Sequence, residues 1–321
     1  MLAGREVARQ LNGGQAVNSV GMTRACVFLI SIFLAGLSIG DAGALTQDQA
    51  KAQCRSKFAP VVRECVRSKV MKSGGPPAQY IPGCRNAIMS KARECVGKAL
   101  FASAPEPEID LAPPSGRGRV VIMLSGVDGA TAYKPFAEKV AKLGYYVVLI
   151  DGRQISTKDK QGGDRLAKAI ATAQGSANAK PGKVAVIAFS LGGGDALAYA
   201  ERQPDQVATV IAYYPVTSFI AKITDMKSFV GKFQVPLLAF AGAKDTFMNC
   251  CLVATIRSMQ ATAKDLGKSM DLVVYPDAEH GFIKGANYRA ADVDDAWKRT
   301  TATLAQYLGD APAHEVTAAP K

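Results

Sequence analysis

Residues 184–194 constrain the fold of this 321-residue chain more than any other stretch. They read Val-Ala-Val-Ile-Ala-Phe-Ser-Leu-Gly-Gly-Gly, an apolar run that leads into a turn at Ser190 and then into a helix. A serine on such a turn presents its hydroxyl beyond the end of the strand. The small residues Ala188, Gly192 and Gly193 leave room for the strand and the helix to approach closely. The pattern therefore predicts a reactive serine at the edge of a buried sheet.

Residues 119–309 alternate between apolar runs and amphipathic segments. The predicted strands cover residues 119–124, 145–150, 184–189, 207–213, 235–241 and 272–275. The predicted helices cover residues 134–143, 164–174, 191–202, 252–266 and 290–308. Continuous apolar strands separated by helices indicate an α/β domain with a mostly parallel sheet and helices on both faces.

The chain contains two histidines, and only one of them follows a predicted strand. His280 comes after strand 272–275, at the edge of the sheet where such folds bind ligands. His314 lies beyond the last predicted helix. Because a serine hydroxyl needs a base to become a nucleophile, we expect His280 to activate Ser190.

A carboxylate is also needed to orient that histidine. Asp245 follows strand 235–241 and precedes His280, which completes the chain order serine, aspartate, histidine. Asp277 and Glu279 are the competing carboxylates. They share the loop of the histidine and are expected not to reach back to its Nδ1, so Asp245 is the predicted third member.

Acyl transfer further requires donors for the developing oxyanion. The backbone N–H of Leu191, directly after the serine, is the first predicted donor. We expect the second donor in the loop after the first strand of the domain, at Leu124, Ser125 or Gly126, with Leu124 and Ser125 as the leading candidates. This loop lacks the His-Gly-Gly-Gly sequence of many lipases.

Five short segments in the right order carry a family resemblance. They are residues 126–127, 188–193, 212–215, 242–245 and 280–282. Through them, residues 119–309 resemble the dienelactone hydrolase family of α/β-hydrolases. The resemblance implies the α/β-hydrolase fold and the hydrolysis of esters and lactones without a metal or organic cofactor.

Two positions depart from that family. Its founding enzymes use a cysteine in a Gly-x-Cys-x-Gly turn, whereas this chain has Ser190 and, for the first glycine, Ala188. An arginine that helps to hold the substrate carboxylate is replaced by Lys284, which keeps the charge but loses the bidentate fork. The expected substrate is a small-molecule ester, lactone or thioester with a nearby anionic group. Lys284, Tyr213 and Tyr214 are the substrate-binding candidates, with surface exposure or core packing as their alternatives.

Residues 45–100 contain Cys54, Cys65, Cys84 and Cys95, two pairs with a spacing of eleven residues. Each pair lies on one helix face, and its members are roughly 16 Å apart, too far to bridge each other. Glycines and prolines between the pairs permit a reversal. An antiparallel helical hairpin would join Cys54 to Cys95 and Cys65 to Cys84. A metal site is disfavoured, because the segment has no C-x-x-C pair and no histidine.

Outside these two parts the chain is less informative. Residues 101–118, rich in proline and glycine, are predicted to be a linker, and residues 310–321 a mobile tail. Cys250 and Cys251 are adjacent in the sequence. A disulfide between them, two free thiols or a longer-range bridge all remain open.

The front of the chain has the pattern of an export signal. Thr23-Arg24 gives a short basic start before the apolar stretch 27–37, and the small residues 42–44 form the pattern that signal peptidase accepts. We expect residues 1–44 to be a signal peptide that is cleaved after Ala44, with Met22 as a candidate for the true start of translation. The protein is then expected to be periplasmic or secreted. The alternative is a membrane anchor formed by residues 22–44.

The chain has a net charge of +12, most of it in the cysteine-containing segment. Residues 45–100 contain eleven Lys and Arg against three Asp and Glu. A solvated basic face is the favoured interpretation, and an anionic surface or partner is the alternative. Specific nucleic-acid binding is not expected, because no such motif is present.

Two classes of function follow. In the first, the protein is a serine-nucleophile ester hydrolase, and an acyltransferase would use the same residues. In the second, it is a non-catalytic binding protein whose basic hairpin is the working surface.

Overall fold

The computed structural model describes residues 45–156 and 161–309. The predicted signal peptide at 1–44, the start at Met22 and the alternative anchor at 22–44 lie outside these residues. So does the predicted tail at 310–321, which includes His314.

The helices and strands of this part of the chain are numbered in chain order. The helices are α1 Gln47–Ser73, α2 Ile81–Ala102, α3 Lys134–Lys142, α4 Gly152–Ile155, α5 Gly162–Gln174, α6 Ser190–Ala198, α7 Ile220–Ile223, α8 Met226–Val230, α9 Val253–Asp265 and α10 Ala290–Leu308. The strands are β1 Ile109–Leu111, β2 Gly118–Leu124, β3 Tyr146–Ile150, β4 Ala179–Phe189, β5 Val207–Tyr213, β6 Leu237–Gly242 and β7 Met270–Tyr275. Short 3₁₀ segments lie at Pro77–Tyr80, Thr131–Tyr133, Ala200–Arg202, Phe247–Asn249 and Gly285–Asn287.

Among the described residues, the seven strands form one sheet in the order β1-β3-β2-β4-β5-β6-β7. All neighbouring strands are parallel except β1, which runs antiparallel to β3. Side chains alternate between two buried clusters: Ile122 and Val186 face one, and Val121 and Ile187 face the other. Both faces of the sheet are therefore covered, which confirms the predicted α/β class.

The segment predicted as a linker is partly a strand. Within residues 101–118, β1 pairs with β3, and the Tyr146 hydroxyl donates to Asp110 Oδ1 over 2.8 Å. The strand covers only three residues, and its partners are supplied from another part of the chain. This explains why its local sequence reads as a linker.

Before the sheet, α1 and α2 form an antiparallel hairpin with the expected disulfides. The bonds join Cys54 to Cys95 and Cys65 to Cys84. Helix α1 begins at a capping box, in which the Thr46 hydroxyl accepts from the Gln49 amide. We call residues 45–102 the hairpin.

A buried hydrogen bond and an exposed ion pair hold helix α2 of the hairpin against the α/β domain. The guanidinium of Arg153 pairs with Asp151 over 2.5 Å and donates to the Leu100 carbonyl oxygen over 2.8 Å. Arg93 on α2 pairs with Glu279, in the loop after β7, over 3.5 Å. The hairpin is therefore fixed at the carboxyl edge of the sheet, where the predicted catalytic loops also lie.

No helix within residues 45–156 and 161–309 is both long and apolar enough to cross a bilayer.

Candidate active site

Ser190 lies on the sharp turn between β4 and α6. Its φ of +49° is in the left-handed region, and the residue is 4% exposed. Two glycines permit this turn. A Cβ on Gly192 would lie 2.6 Å from both Leu124 Cβ and the Ser125 carbonyl oxygen. A Cβ on Gly193 would lie 2.9 Å from the Cα of Pro215. The close strand–helix approach predicted from the sequence is therefore present.

His280 lies in the loop after β7 and faces the serine. Its Nε2 is 2.9 Å from Ser190 Oγ. The Phe247 ring stacks on the imidazole with centroids 4.6 Å apart, and the Tyr214 ring meets it edge-on at 4.9 Å. The amide of Asn287 donates to the His280 carbonyl oxygen over 2.6 Å. Ring and backbone are thus both held, which limits the rotation of the imidazole.

Asp245 completes the line of hydrogen-bonded side chains. Its Oδ2 is 2.7 Å from His280 Nδ1, and its Oδ1 accepts from the Phe247 backbone amide over 3.0 Å. The carboxylate is almost fully buried, so the histidine is its partner in place of water. This arrangement favours the tautomer with a proton on Nδ1, which leaves Nε2 free to accept from the serine.

The two competing carboxylates are engaged elsewhere. Asp277 pairs with Lys244 over 2.7 Å, and this contact lowers the pKa of Asp277 below its ordinary value. Glu279 pairs with Arg93 of the hairpin. The structure therefore brings together Ser190 and His280 with Asp245, and not with either neighbour of the histidine.

The predicted oxyanion donors need a correction. The Ser125 amide donates to the Ile150 carbonyl over 2.9 Å, and Leu124 lies inside β2, paired with strands on both sides. Neither amide is free for a ligand. Val127, two residues further on, lines the cavity beside Ser190, and Leu191 is the residue after the serine at the start of α6. The strand ends at Leu124 as predicted, but its hydrogen bonding to β3 continues through the Ser125 amide.

Lys284 lines the same cavity but does not present a free charge. Its ammonium pairs with Asp128 over 2.5 Å and lies 3.4 Å from the centre of the Tyr133 ring. Burial lowers the pKa of Lys284, and the carboxylate of Asp128 opposes that shift. Lys284 is therefore on the cavity wall with its charge already paired, and its role in substrate binding stays a prediction. Asp128, 156 positions away in the chain, has no local signal that identifies it as the partner.

The two candidate tyrosines have different positions. Tyr214 lines the cavity and contacts His280. Tyr213 is fully buried, and its hydroxyl is 2.7 Å from Thr300 Oγ1 on α10. The substrate-binding prediction for Tyr213 is therefore wrong, because its ring and hydroxyl both belong to the core.

A cavity of about 1620 Å³ opens above the serine. Ser190 and His280 lie on its lining, together with Tyr133 and Phe247 from the α/β domain. One face of the hairpin forms much of the remaining wall. No local sequence pattern fixes the position of the hairpin, and the structure places it on the cavity that contains the serine.

Cys250 and Cys251 are joined to each other by a disulfide. The Cys250 carbonyl accepts from the backbone amides of Thr217 and Ser218, which links the loop after β6 to the loop after β5. The two sulfurs and a ring nitrogen of His280 lie within 4.8 Å of one another. A metal ion would need the sulfurs as thiolates, so this trio is not a metal site while the disulfide is intact.

Comparisons with known proteins agree with this fold. Residues 150–308 match the family described as "Dienelactone hydrolase family". A curated relative, the "Putative carboxymethylenebutenolidase" of Methylorubrum extorquens, is 27% identical over 197 residues, which cover 54% of this chain and 67% of that protein.

Solved structures resemble the α/β domain at lower identity. The "Putative Dienelactone Hydrolase" from Klebsiella pneumoniae subsp. pneumoniae is 20% identical with a TM-score of 0.52, covering 63% of this chain and 100% of the other. Esterase 2 of Thermogutta terrifontis, phosphonylated by cyclosarin, is 16% identical with a TM-score of 0.52, covering 64% and 90%. At these identities the likeness shows the fold. The family match over residues 150–308 shows that the α/β domain belongs to the dienelactone hydrolase family.

Proposed function

We propose that the protein is a serine hydrolase of carboxylic esters, lactones or thioesters that works through an acyl-enzyme. The main support is the unbroken line of contacts from Ser190 Oγ to His280 Nε2, 2.9 Å, and from His280 Nδ1 to Asp245 Oδ2, 2.7 Å. These are the distances at which a base takes a proton and a carboxylate stabilises the resulting imidazolium.

In the first half of the proposed reaction, Ser190 Oγ attacks the carbonyl carbon and its proton passes to His280 Nε2. The carbonyl π electrons move to the oxygen, which becomes an oxyanion. When the tetrahedral intermediate collapses, the bond to the leaving alcohol or thiol breaks and Nε2 returns the proton to it. Asp245 holds the ring orientation throughout.

In the second half, water attacks the acyl carbon and gives one proton to His280 Nε2. The bond between the carbonyl carbon and Ser190 Oγ then breaks, the acid leaves, and Nε2 returns the proton to the serine. No oxidant, reductant or further group is consumed. Each step uses only the acid–base capacity of one imidazole.

We propose the backbone N–H groups of Leu191 and Val127 as the oxyanion donors. Leu191 lies at the first turn of α6, where backbone N–H groups have no partner within the helix. Val127 is on the cavity wall close to the serine. Two such donors stabilise charge that develops only during the reaction.

We also propose that the protein works in an oxidising compartment outside the cytoplasm. Three disulfides are formed among the described residues, and two of them hold the hairpin together. Disulfides of this kind persist in periplasmic and secreted proteins. The export signal predicted for residues 1–44 is consistent with this location.

The function is tested by hydrolysis of p-nitrophenyl butyrate by the purified, disulfide-intact protein. Ser190→Ala is expected to lower kcat by about 10⁶-fold, since the loss of the nucleophile leaves only binding and oxyanion stabilisation. Ser258→Ala, an exposed serine on α9, is the matched control and should leave kcat unchanged. Equal activity of the two variants would overturn the proposal.

The same assay separates hydrolysis from acyl transfer. A simple alcohol is added as a second acceptor, and the butyrate and the new ester are both quantified. Butyrate as the main product supports the hydrolase. If the new ester predominates at low alcohol concentration, the protein is an acyltransferase that uses the same residues.

A further inference from the structure

Helix α1 presents an apolar stripe to the cavity above Ser190. The stripe consists of Phe58, Val62, Val66 and Val70, at intervals of four residues, so that it follows one face of the helix. All four side chains line the cavity, and Val66 is buried. Surface helices of globular proteins normally pack such a stripe against other parts of the chain.

Helix α2 contributes a second stripe to the same space. Its members are Ile81, Ile88, Ala92 and Val96, which also line the cavity. From Ile81 to Val96 the stripe extends over roughly 22 Å of helix at 1.5 Å per residue. The two helices therefore form a long apolar groove, here called the hairpin groove and defined by these eight residues.

The hairpin groove is continuous with the catalytic side chains. Ser190 and His280 line the same cavity as the two stripes. Gly97, near the end of α2, packs so closely on Met248 that a Cβ would lie 2.6 Å from its sulfur, and it also faces Phe247, the ring that stacks on the imidazole. The volume of about 1620 Å³ exceeds the roughly 300–1,000 Å³ that pockets for compact small molecules occupy.

The cavity lining is basic, with two lysines and five arginines against two acidic residues. The acidic side chains among the described lining residues are Asp128 and Glu279, and each is paired, with Lys284 and Arg93 respectively. Exposed arginines such as Arg67 border the apolar stripes. An arginine in this position lays its methylene stem along the apolar wall and keeps its charged end in water.

We propose that the hairpin groove binds the linear acyl chain of a long-chain ester whose carbonyl carbon lies at Ser190. The proposal rests on the proposed function and specifies its substrate class. A butyryl group fills only the space next to the serine, whereas a dodecanoyl group extends along the stripes of α1 and α2. Each methylene that enters the groove leaves water and raises kcat/KM.

The first test compares p-nitrophenyl butyrate and dodecanoate, both below the concentration at which they form micelles. Wild-type kcat/KM should be at least tenfold higher for the dodecanoate. Ala92→Trp, which fills the groove half-way, should lower the dodecanoate value at least tenfold and change the butyrate value less than twofold. Ala87→Trp, on the exposed side of the same helix and outside the cavity lining, is the matched control and should change neither.

Two results would overturn the proposal. One is a wild-type preference for butyrate, and the other is the same chain-length profile in Ala92→Trp and Ala87→Trp. If Ala92→Trp does not fold, as judged by circular dichroism, Ile88→Asn takes its place. It puts a polar amide in the groove and should reduce the preference for dodecanoate in the same way.

A binding measurement separates this inference from the proposed function. Ser190→Ala protein is titrated with cis-parinaric acid, a fatty acid whose fluorescence rises in apolar surroundings. Saturable binding that Ala92→Trp weakens at least fivefold supports the groove even if no ester is hydrolysed. Absence of saturable binding overturns the groove, even where butyrate hydrolysis depends on Ser190.

Discussion

Ser190 combines a reactive hydroxyl on the cavity lining with a backbone conformation that few residues adopt. A left-handed conformation costs a non-glycine residue about 1–2 kcal/mol, and Ser190 has a φ of +49°. The turn is held by its neighbours: the Val216 amide donates to the Ser190 carbonyl over 2.9 Å, and the Gly192 amide donates to the Ser125 carbonyl over 3.1 Å. The surrounding loops therefore maintain the orientation in which the hydroxyl meets the imidazole.

At the residue scale, Asp245→Asn tests the role of the buried carboxylate. The amide keeps the size of the side chain but favours the wrong tautomer of His280, and kcat for p-nitrophenyl butyrate should fall by about 10⁴-fold. Asp277→Asn, in the loop of the histidine, should change kcat less than twofold, since Asp277 pairs with Lys244. Equal losses in the two variants would contradict the assignment of Asp245.

The sequence predicted Ser190, Asp245 and His280 because their order along the chain and the scarcity of histidine left few choices. It did not predict Val127 as a candidate oxyanion donor, because the direction of a backbone N–H depends on where the loop leaves β2. The contact between Asp128 and Lys284 was also missed, because it joins residues that only the folded sheet brings together.

At the scale of elements, the hairpin shows how the spacing of cysteines along the sequence determines which helix faces pack together. A repeat of eleven residues places two cysteines on one helix face, so the bonds Cys54–Cys95 and Cys65–Cys84 could be derived from the sequence. Strand β1 could not, since its three residues obtain their hydrogen bonds from β3. Short elements of this kind depend on tertiary partners more than on local propensity.

Two glycine substitutions test the close approach of β2, β4 and α6. Gly192→Ala should destabilise the protein by about 1–3 kcal/mol, because its Cβ would lie 2.6 Å from Leu124 Cβ and from the Ser125 carbonyl oxygen. Gly83→Ala, in α2, meets no atom within 4 Å and should stabilise the protein by about 0.5–1 kcal/mol. Chemical denaturation measures both, and a neutral Gly192→Ala would contradict this packing.

Removal of the disulfides one at a time tests the hairpin as an element. The Cys54–Cys95 bond closes a separation of 41 residues and the Cys65–Cys84 bond one of 19, so loss of the first should cost roughly 0.7 kcal/mol more. Hydrogen exchange of α1 and α2 in Cys54→Ser/Cys95→Ser and in Cys65→Ser/Cys84→Ser measures the difference. Faster exchange in the second variant would contradict it.

At the scale of the whole molecule, the docked hairpin is the feature that the sequence left open. Its position depends on long-range contacts, above all the donation from Arg153 to the Leu100 carbonyl and the pair between Arg93 and Glu279. No local pattern identifies these partners. The fold of each part could be predicted, whereas the cavity between the parts could not.

A buried acid makes the global stability depend on pH. Glu201, after α6, is fully buried, and burial raises the pKa of its carboxyl well above the ordinary value, against a smaller opposing effect of the Val235 backbone. The protonated carboxyl therefore favours the folded state at low pH. Its contribution to the free energy of unfolding is complete below the unfolded-state pKa of about 4.3. That contribution is lost as the pH rises toward the raised pKa of the folded state. Stability should therefore fall between acid and neutral pH for this group.

Glu201→Gln replaces the acid by a neutral group of the same shape. Its Tm should exceed that of the wild type at pH 7, and the difference should shrink as the pH approaches 4. Thermal unfolding across this pH range measures the effect, with Glu138→Gln on α3, whose side chain is 46% exposed, as the control. A Tm difference that does not vary with pH would show that Glu201 is not the titrating group.

The most direct test of the central claim is covalent labelling with a fluorophosphonate, followed by peptide mapping by mass spectrometry. The disulfide-intact protein should carry one adduct, on Ser190, and His280→Gln should slow its formation strongly. An adduct on another residue, or no adduct on the folded protein, would contradict the account.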